Sequence, residues 1–135
     1  MRIGVPKEIH HGEQRVATTP EVAALLLKLG YDVAIESGAG IDAKFTDSHY
    51  QDSGIDVIDD ARTLYEQSDI ILKVRAPEKS DADGVNEIDL LREGQALISF
   101  IQPGQNEKLM QELSAKNISV LAMDSIPRIS RAQKM

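Results

Sequence analysis

Short β-branched runs alternate along this chain with stretches of helical periodicity, the pattern of consecutive β-α-β units. Strands are expected at residues 2–5, 32–36, 56–58, 69–74, 96–100 and 119–123. The first helix is the best specified: Thr19 suits the N-cap, Pro20 the first helical position, and Glu21 the positive helix end. Val22, Leu25, Leu26 and Leu29 recur at i, i+3, i+4 and i+7, which predicts one inward apolar face, and Gly30 ends the helix. Further helices are expected from Asp47 to Gly54, over 61–67 with Leu64 and Tyr65 inward, and from about Asn106 to Lys116 with Leu109, Met110 and Leu113 buried. Residues 78–89 carry Asp81, Asp83, Glu87 and Asp89 and read as a solvated acidic loop leading into a short helix. Burying these helix faces predicts an α/β fold of three layers, a mostly parallel sheet with helices on both faces.

Composition sharpens this picture. Aromatic residues are only 4% and Trp is absent, so the core is aliphatic, as in a buried parallel sheet. A net charge of −7 carries no basic surplus, which argues against a nucleic-acid partner. With no cysteine there is no disulfide or thiolate chemistry. The longest apolar run, from Val22 to Leu27, is far short of the ~20 residues of a membrane helix, so no direct membrane insertion by this segment is expected.

Candidate chemistry is sparse. Gly38-Ala39-Gly40-Ile41-Asp42-Ala43 follows a strand and matches a G-x-G-x-x-A dinucleotide pattern, with Asp59 and Asp60 further on as possible ribose ligands. That fingerprint needs its glycine turn to open a helix, whereas the helix start here lies later, at Thr46 or Asp47; a plain turn is the preferred reading. His10, His11 and His49 lack metal-ligand spacing, so no metal site is expected. Ser37, Ser53 and Ser68 read as turn and cap residues. Arg15, between the first strand and the first helix, could grip a carboxylate or simply pair with Glu8 or Glu13. The last strand runs into Ser125-Ile126-Pro127-Arg128-Ile129-Ser130-Arg131-Ala132-Gln133, a polar segment where α/β proteins place ligand-contacting groups. The chain stops there without a closing helix, as if cut within a site.

These residues carry a resemblance. Met1-Arg2-Ile3-Gly4-Val5-Pro6-Lys7-Glu8 and Glu13-Gln14-Arg15-Val16-Ala17 resemble the amino terminus shared by alanine dehydrogenases and the alpha subunit of proton-translocating NAD(P) transhydrogenase. Glu36-Ser37-Gly38-Ala39-Gly40, Leu72-Lys73-Val74 and the segment from Ala122 to Gln133 extend it over essentially the whole chain, and the closing Pro-Arg-Ile-Ser-Arg-Ala-Gln run resembles the transhydrogenase branch. The resemblance implies that residues 1–135 are the N-terminal, flavodoxin-like lobe of a two-lobed unit whose Rossmann NAD-binding lobe is absent from this chain. In alanine dehydrogenases a lysine and a histidine move the protons of amine–keto acid interconversion. The matching positions here are Arg75 and Gln102, which do not titrate near neutral pH.

Transhydrogenation needs no such pair, because hydride passes directly between nicotinamide rings. By resemblance, Arg128 and Gln133 are the expected catalytic positioning residues, and Arg128, Ile129, Ser130, Arg131 and Gln133 line the NAD(H) site. The same resemblance implies NAD(H) as cofactor with NADP(H) on a partner domain or subunit. It also implies a beta subunit with a membrane domain, a homodimer, and a place on the cytoplasmic side of the bacterial inner membrane. An alanine dehydrogenase-like oxidoreductase and a non-catalytic nucleotide- or protein-binding module are the alternatives.

Overall fold

The computed structural model describes residues 1–79, 84–101 and 106–123. Six strands, β1 (Arg2–Val5), β2 (Asp32–Glu36), β3 (Asp56–Ile58), β4 (Ile70–Leu72), β5 (Ala96–Ser99) and β6 (Ser119–Ala122), form one sheet in the order β3-β2-β1-β4-β5-β6. Every pairing between them is parallel. Five α-helices connect them: α1 (Pro20–Lys28), α2 (Asp47–Asp52), α3 (Ala61–Gln67), α4 (Glu87–Leu90) and α5 (Glu107–Ala115). The three-layer parallel α/β expectation is met. Within it, β2-β1-β4-β5-β6 follow the flavodoxin-like order, and β3 is added at the edge outside β2, after which the chain crosses two strands to pair β4 with β1.

Strand register explains the layers. Val5 and Ile35 are partners, as are Ile35 and Val57, and these side chains bury against Ala23 of α1 and Tyr50 of α2. Ile71 and Leu97 are partners on the opposite face, in a second cluster with Tyr65 of α3, Leu91 and Leu113 of α5. Gly4 of β1 sits where α3 comes closest: a Cβ there would lie 2.0 Å from Ser68 Oγ. Only glycine admits that approach, and it brings the Ser68 end of α3 against the sheet.

Helix caps follow the sequence. The Thr19 side chain accepts from Val22 N, Asp60 from Thr63 N, and Thr46 and His49 cap α2 reciprocally. The orientation of α1 differs from expectation. Val22, Leu25 and Leu29 are exposed, at 46%, 56% and 73%, while Pro20 and Ala23 are buried and Leu26 and Leu27 half-buried. Because the run from Val22 to Leu27 is apolar all round, periodicity cannot choose its inward face. The fully buried Ala23 is the small residue that lets the helix approach the sheet. The acidic stretch also departs from expectation at one residue: Glu87 is buried in the first turn of α4, whereas Asp89 is exposed; Asp81 and Asp83 lie outside the described residues.

Candidate functional site

In this strand order the connections diverge at β1 and β4, and open α/β sheets hold ligands in the crevice beyond the carboxyl ends of such strands. A cleft of about 520 Å³ lies there. His10 and Arg15 come from the loop after β1, Arg75 and Glu78 from the loop after β4, Phe100 and Ile101 from the end of β5, and Asn106 from the start of α5.

Two buried carboxylates join the β1 and β4 loops. Glu8 accepts hydrogen bonds from Val74 N at 2.9 Å, Arg75 N at 3.0 Å and Lys73 Nζ at 3.1 Å. Glu13 accepts from Arg15 Nε at 2.9 Å and from Arg75 Nε at 2.8 Å, so one carboxylate gathers both arginines. Its side chain is almost fully buried. The hydrogen bond from Arg15, reinforced by Arg75 and only partly opposed by burial, holds its carboxyl well below the ordinary carboxylate range. Two guanidiniums thus share this one carboxylate, and Glu78 supplies a second carboxylate on the rim of the cleft. His10 Nδ1 lies 2.8 Å from Glu78 Oε2 on the same rim.

Beneath the rim, the Lys73 side chain is 1% exposed and its Nζ lies 3.1 Å from both Glu8 Oε1 and Glu87 Oε2. Glu87 also accepts from Glu78 N and lies 3.5 Å from the Tyr65 hydroxyl. Burial raises the Glu87 carboxyl above its ordinary value, against the pull of Lys73, and raises the Tyr65 hydroxyl well above its own. This network fixes the backbone that carries Arg75 and Glu78. Sequence reading offered Glu8 and Glu13 only as partners of Arg15, and missed Glu8 and Glu87 as partners of Lys73. The available signal was Lys73 itself, a lysine directly following the apolar run Ile70-Ile71-Leu72.

Arg75 therefore faces the cleft, while its expected companion Gln102 lies outside the described residues. So do Arg128, Ile129, Ser130, Arg131 and Gln133. β6 ends level with β5, with Ala122 opposite Ser99, so the chain leaves the sheet at the carboxyl edge where the cleft opens. Arg15 is held by Glu13, the pairing that sequence left as one of two readings.

The glycine turn is a structural element. Gly38 N donates to Asp47 Oδ1 at 2.9 Å and Ser37 Oγ to Asp47 Oδ2 at 2.6 Å, so a carboxylate takes the amide that a phosphate would need. A Cβ on Gly40 would lie 2.8 Å from both Phe45 O and Tyr50 Cε2, so that glycine packs against the protein's own core. Asp60 caps α3. A dinucleotide pyrophosphate does not fit this turn. Among the described residues there is no cluster suited to a metal ion, and no helix is long and apolar enough to cross a membrane.

Comparison with known proteins agrees with this architecture. The family model described as "Alanine dehydrogenase/PNT, N-terminal domain" matches residues 4–135. NAD(P) transhydrogenase subunit alpha of Cereibacter sphaeroides is 49% identical over 135 residues, covering 100% of this chain and 25% of that protein. The subunit of the same name from Haemophilus influenzae is 47% identical, again over 100% of this chain and 25% of its own length. A solved transhydrogenase structure from Sinorhizobium meliloti superposes with a TM-score of 0.85 at 33% identity, covering 100% of this chain and 37% of that one. The chain thus spans about a quarter of the length of these two curated relatives. With its fold and its whole length matched in this way, the chain belongs to the alanine dehydrogenase/PNT family, as the N-terminal lobe.

Proposed function

We propose that this chain is the first lobe of the NAD(H)-side component of a proton-translocating NAD(P) transhydrogenase, which moves hydride between NAD(H) and NADP(H). A Rossmann lobe outside these 135 residues holds the rest of NAD(H). NADP(H) is carried by a partner, the beta subunit or its NADP(H)-binding domain, beside a membrane domain. The component works as a homodimer on the cytoplasmic side of the bacterial inner membrane. Hydride transfer between two nicotinamides asks the protein for positioning and water exclusion. Arg128 holds the nicotinamide half of NAD(H), Gln133 orients the ring, and Ile129, Ser130 and Arg131 complete that wall.

The observation that carries the choice between branches is Arg75. It lines the cleft at the end of β4 and is held by Glu13 at 2.8 Å. A guanidinium stays protonated, so it cannot exchange the proton that amine–keto acid chemistry requires. The high identity to transhydrogenase alpha subunits along the full chain supports the same branch. The misfit of the glycine turn to a pyrophosphate supports placing the adenosine half on another lobe.

Two assays test this. In an alpha subunit carrying this lobe, Arg128→Ala and Gln133→Leu should each lower transhydrogenation by about 10²-fold, the cost of misplacing a reacting group by about 1 Å. Full rates in both variants contradict the site assignment. The same subunit should not oxidise NADH with pyruvate and ammonium; robust turnover there would instead support the alanine dehydrogenase alternative.

A further inference from the structure

Of the five Phe and Tyr side chains in this chain, only Phe100 opens into the cleft. Tyr50 and Tyr65 are buried, one in each core cluster, and Phe45 packs edge-on against Tyr50 with ring centroids 6.4 Å apart. Tyr31 immediately precedes β2, at the amino edge of the sheet and away from the cleft. Phe100 follows β5 at the carboxyl edge and is 47% exposed, an aromatic face with no packing role assigned above.

That face is held in place from behind. Phe100 N donates to Val74 O at 3.3 Å, and Val74 N donates in turn to Glu8 at 2.9 Å. Its backbone is thereby tied to the buried network of Lys73, Glu8 and Glu87. Val74, Ala76, Pro77 and Ile101 continue the apolar lining. Arg75 edges the same cleft with its Nε taken by Glu13, while its two Nη groups make no hydrogen bond among the described residues. An apolar lining with a few polar donors at its margin suits a flat heteroaromatic amide, whose ring stacks while its oxygen accepts. Adenine would stack as well, but the pyrophosphate joined to it finds no cradle in the Gly38–Gly40 turn.

We infer that Phe100 is the platform on which the nicotinamide ring of NAD(H) stacks, so that this side chain sets the plane of the reacting ring. The inference rests on the proposed function, which brings NAD(H) to this lobe. A ring with one face on Phe100 keeps its other face open to a second nicotinamide, as direct hydride passage requires.

Calorimetry on the alpha subunit carrying this lobe tests it, with NADH and ADP-ribose as probes. ADP-ribose keeps the adenosine, both phosphates and the second ribose, and lacks the nicotinamide. Phe100→Ala should bind NADH about tenfold more weakly, the loss of one stacked aromatic partner, and leave ADP-ribose binding unchanged. Phe100→Tyr restores the ring face and should restore NADH binding. Emission from bound NADH should lie further to the blue in wild type and Phe100→Tyr than in Phe100→Ala, because the ring leaves water only where the platform is intact. Residue 100 is half exposed, so Phe100→Ala should keep the wild-type circular dichroism. Unchanged NADH affinity in Phe100→Ala overturns the inference. An equal loss for NADH and ADP-ribose also overturns it, since Phe100 then only supports the shape of the lobe. Both of those results leave the proposed function standing, whereas a wild-type subunit that binds neither probe overturns function and platform together.

Discussion

Lys73→Met removes the ammonium between Glu8 and Glu87 while keeping most of the side chain's volume. The three side chains are 1%, 2% and 6% exposed, so water cannot replace the lost charge without opening the loop after β4. Removing one partner of a buried ion pair costs about 3–5 kcal/mol, a large share of the roughly 5–15 kcal/mol that holds a domain folded. The two carboxylates do not share the loss equally. Glu8 keeps two backbone hydrogen bonds, from Val74 and Arg75. Glu87 keeps only Glu78 N and the distant Tyr65 hydroxyl, and burial already raises its carboxyl above the ordinary 4.5. Without Lys73 its folded value rises further. Between 4.5 and that folded value the folded state binds more protons than the unfolded state, so stability falls as pH rises through this window. In the variant the window extends to higher pH. Urea unfolding at pH 8 should show a loss of about 3–5 kcal/mol, and at pH 5 a smaller one, because Glu87 takes up a proton more readily there. Lys73→Met combined with Glu87→Leu should recover part of the pH 8 loss, since an apolar pair leaves no unpaired charge there. A loss below about 1 kcal/mol, or one equal at both pH values, would refute the buried ion triad.

Other perturbations probe separate links. Gly4→Ala forces a Cβ to within 2.0 Å of Ser68 Oγ and should cost about 1–3 kcal/mol or more in urea unfolding, partly recovered by adding Ser68→Ala. Thr19→Ala deletes the cap on Val22 N and should lower stability by about 1 kcal/mol, with no change in the other helices by hydrogen exchange. Glu13→Gln should flatten the acid limb of unfolding. The native carboxyl sits below its ordinary 4.5, so its stabilisation is present above that value and lost as pH falls beneath it, a dependence the amide lacks.

Much of the fold was legible because local chemistry and global packing agree. The three strands Arg2–Val5, Asp32–Glu36 and Asp56–Ile58 and the helix Ala61–Gln67 fall where β-branched runs and caps put them. The inward side of α1 was illegible, since an apolar run from Val22 to Leu27 gives periodicity nothing to reject. The place of β3 was illegible for another reason: it depends on one crossover between β3 and β4, with no local signature. The cleft was half legible. Arg15 stood out as a cation at a strand end and Arg75 came from the resemblance, but Glu8 and Glu87 are acids whose partners lie 65 residues and 14 residues from them in sequence, and only folding brings them to Lys73. Residues 128–133 came from resemblance rather than from spacing.

The central claim is that this lobe serves hydride exchange between two nicotinamide nucleotides. The most direct measurement mixes the alpha subunit carrying it with the NADP(H)-binding partner and follows hydride from labelled NADH to NADP⁺. Expected is label in NADPH, at a rate that depends on both proteins. Absence of transfer above background, with both nucleotides bound, would contradict it.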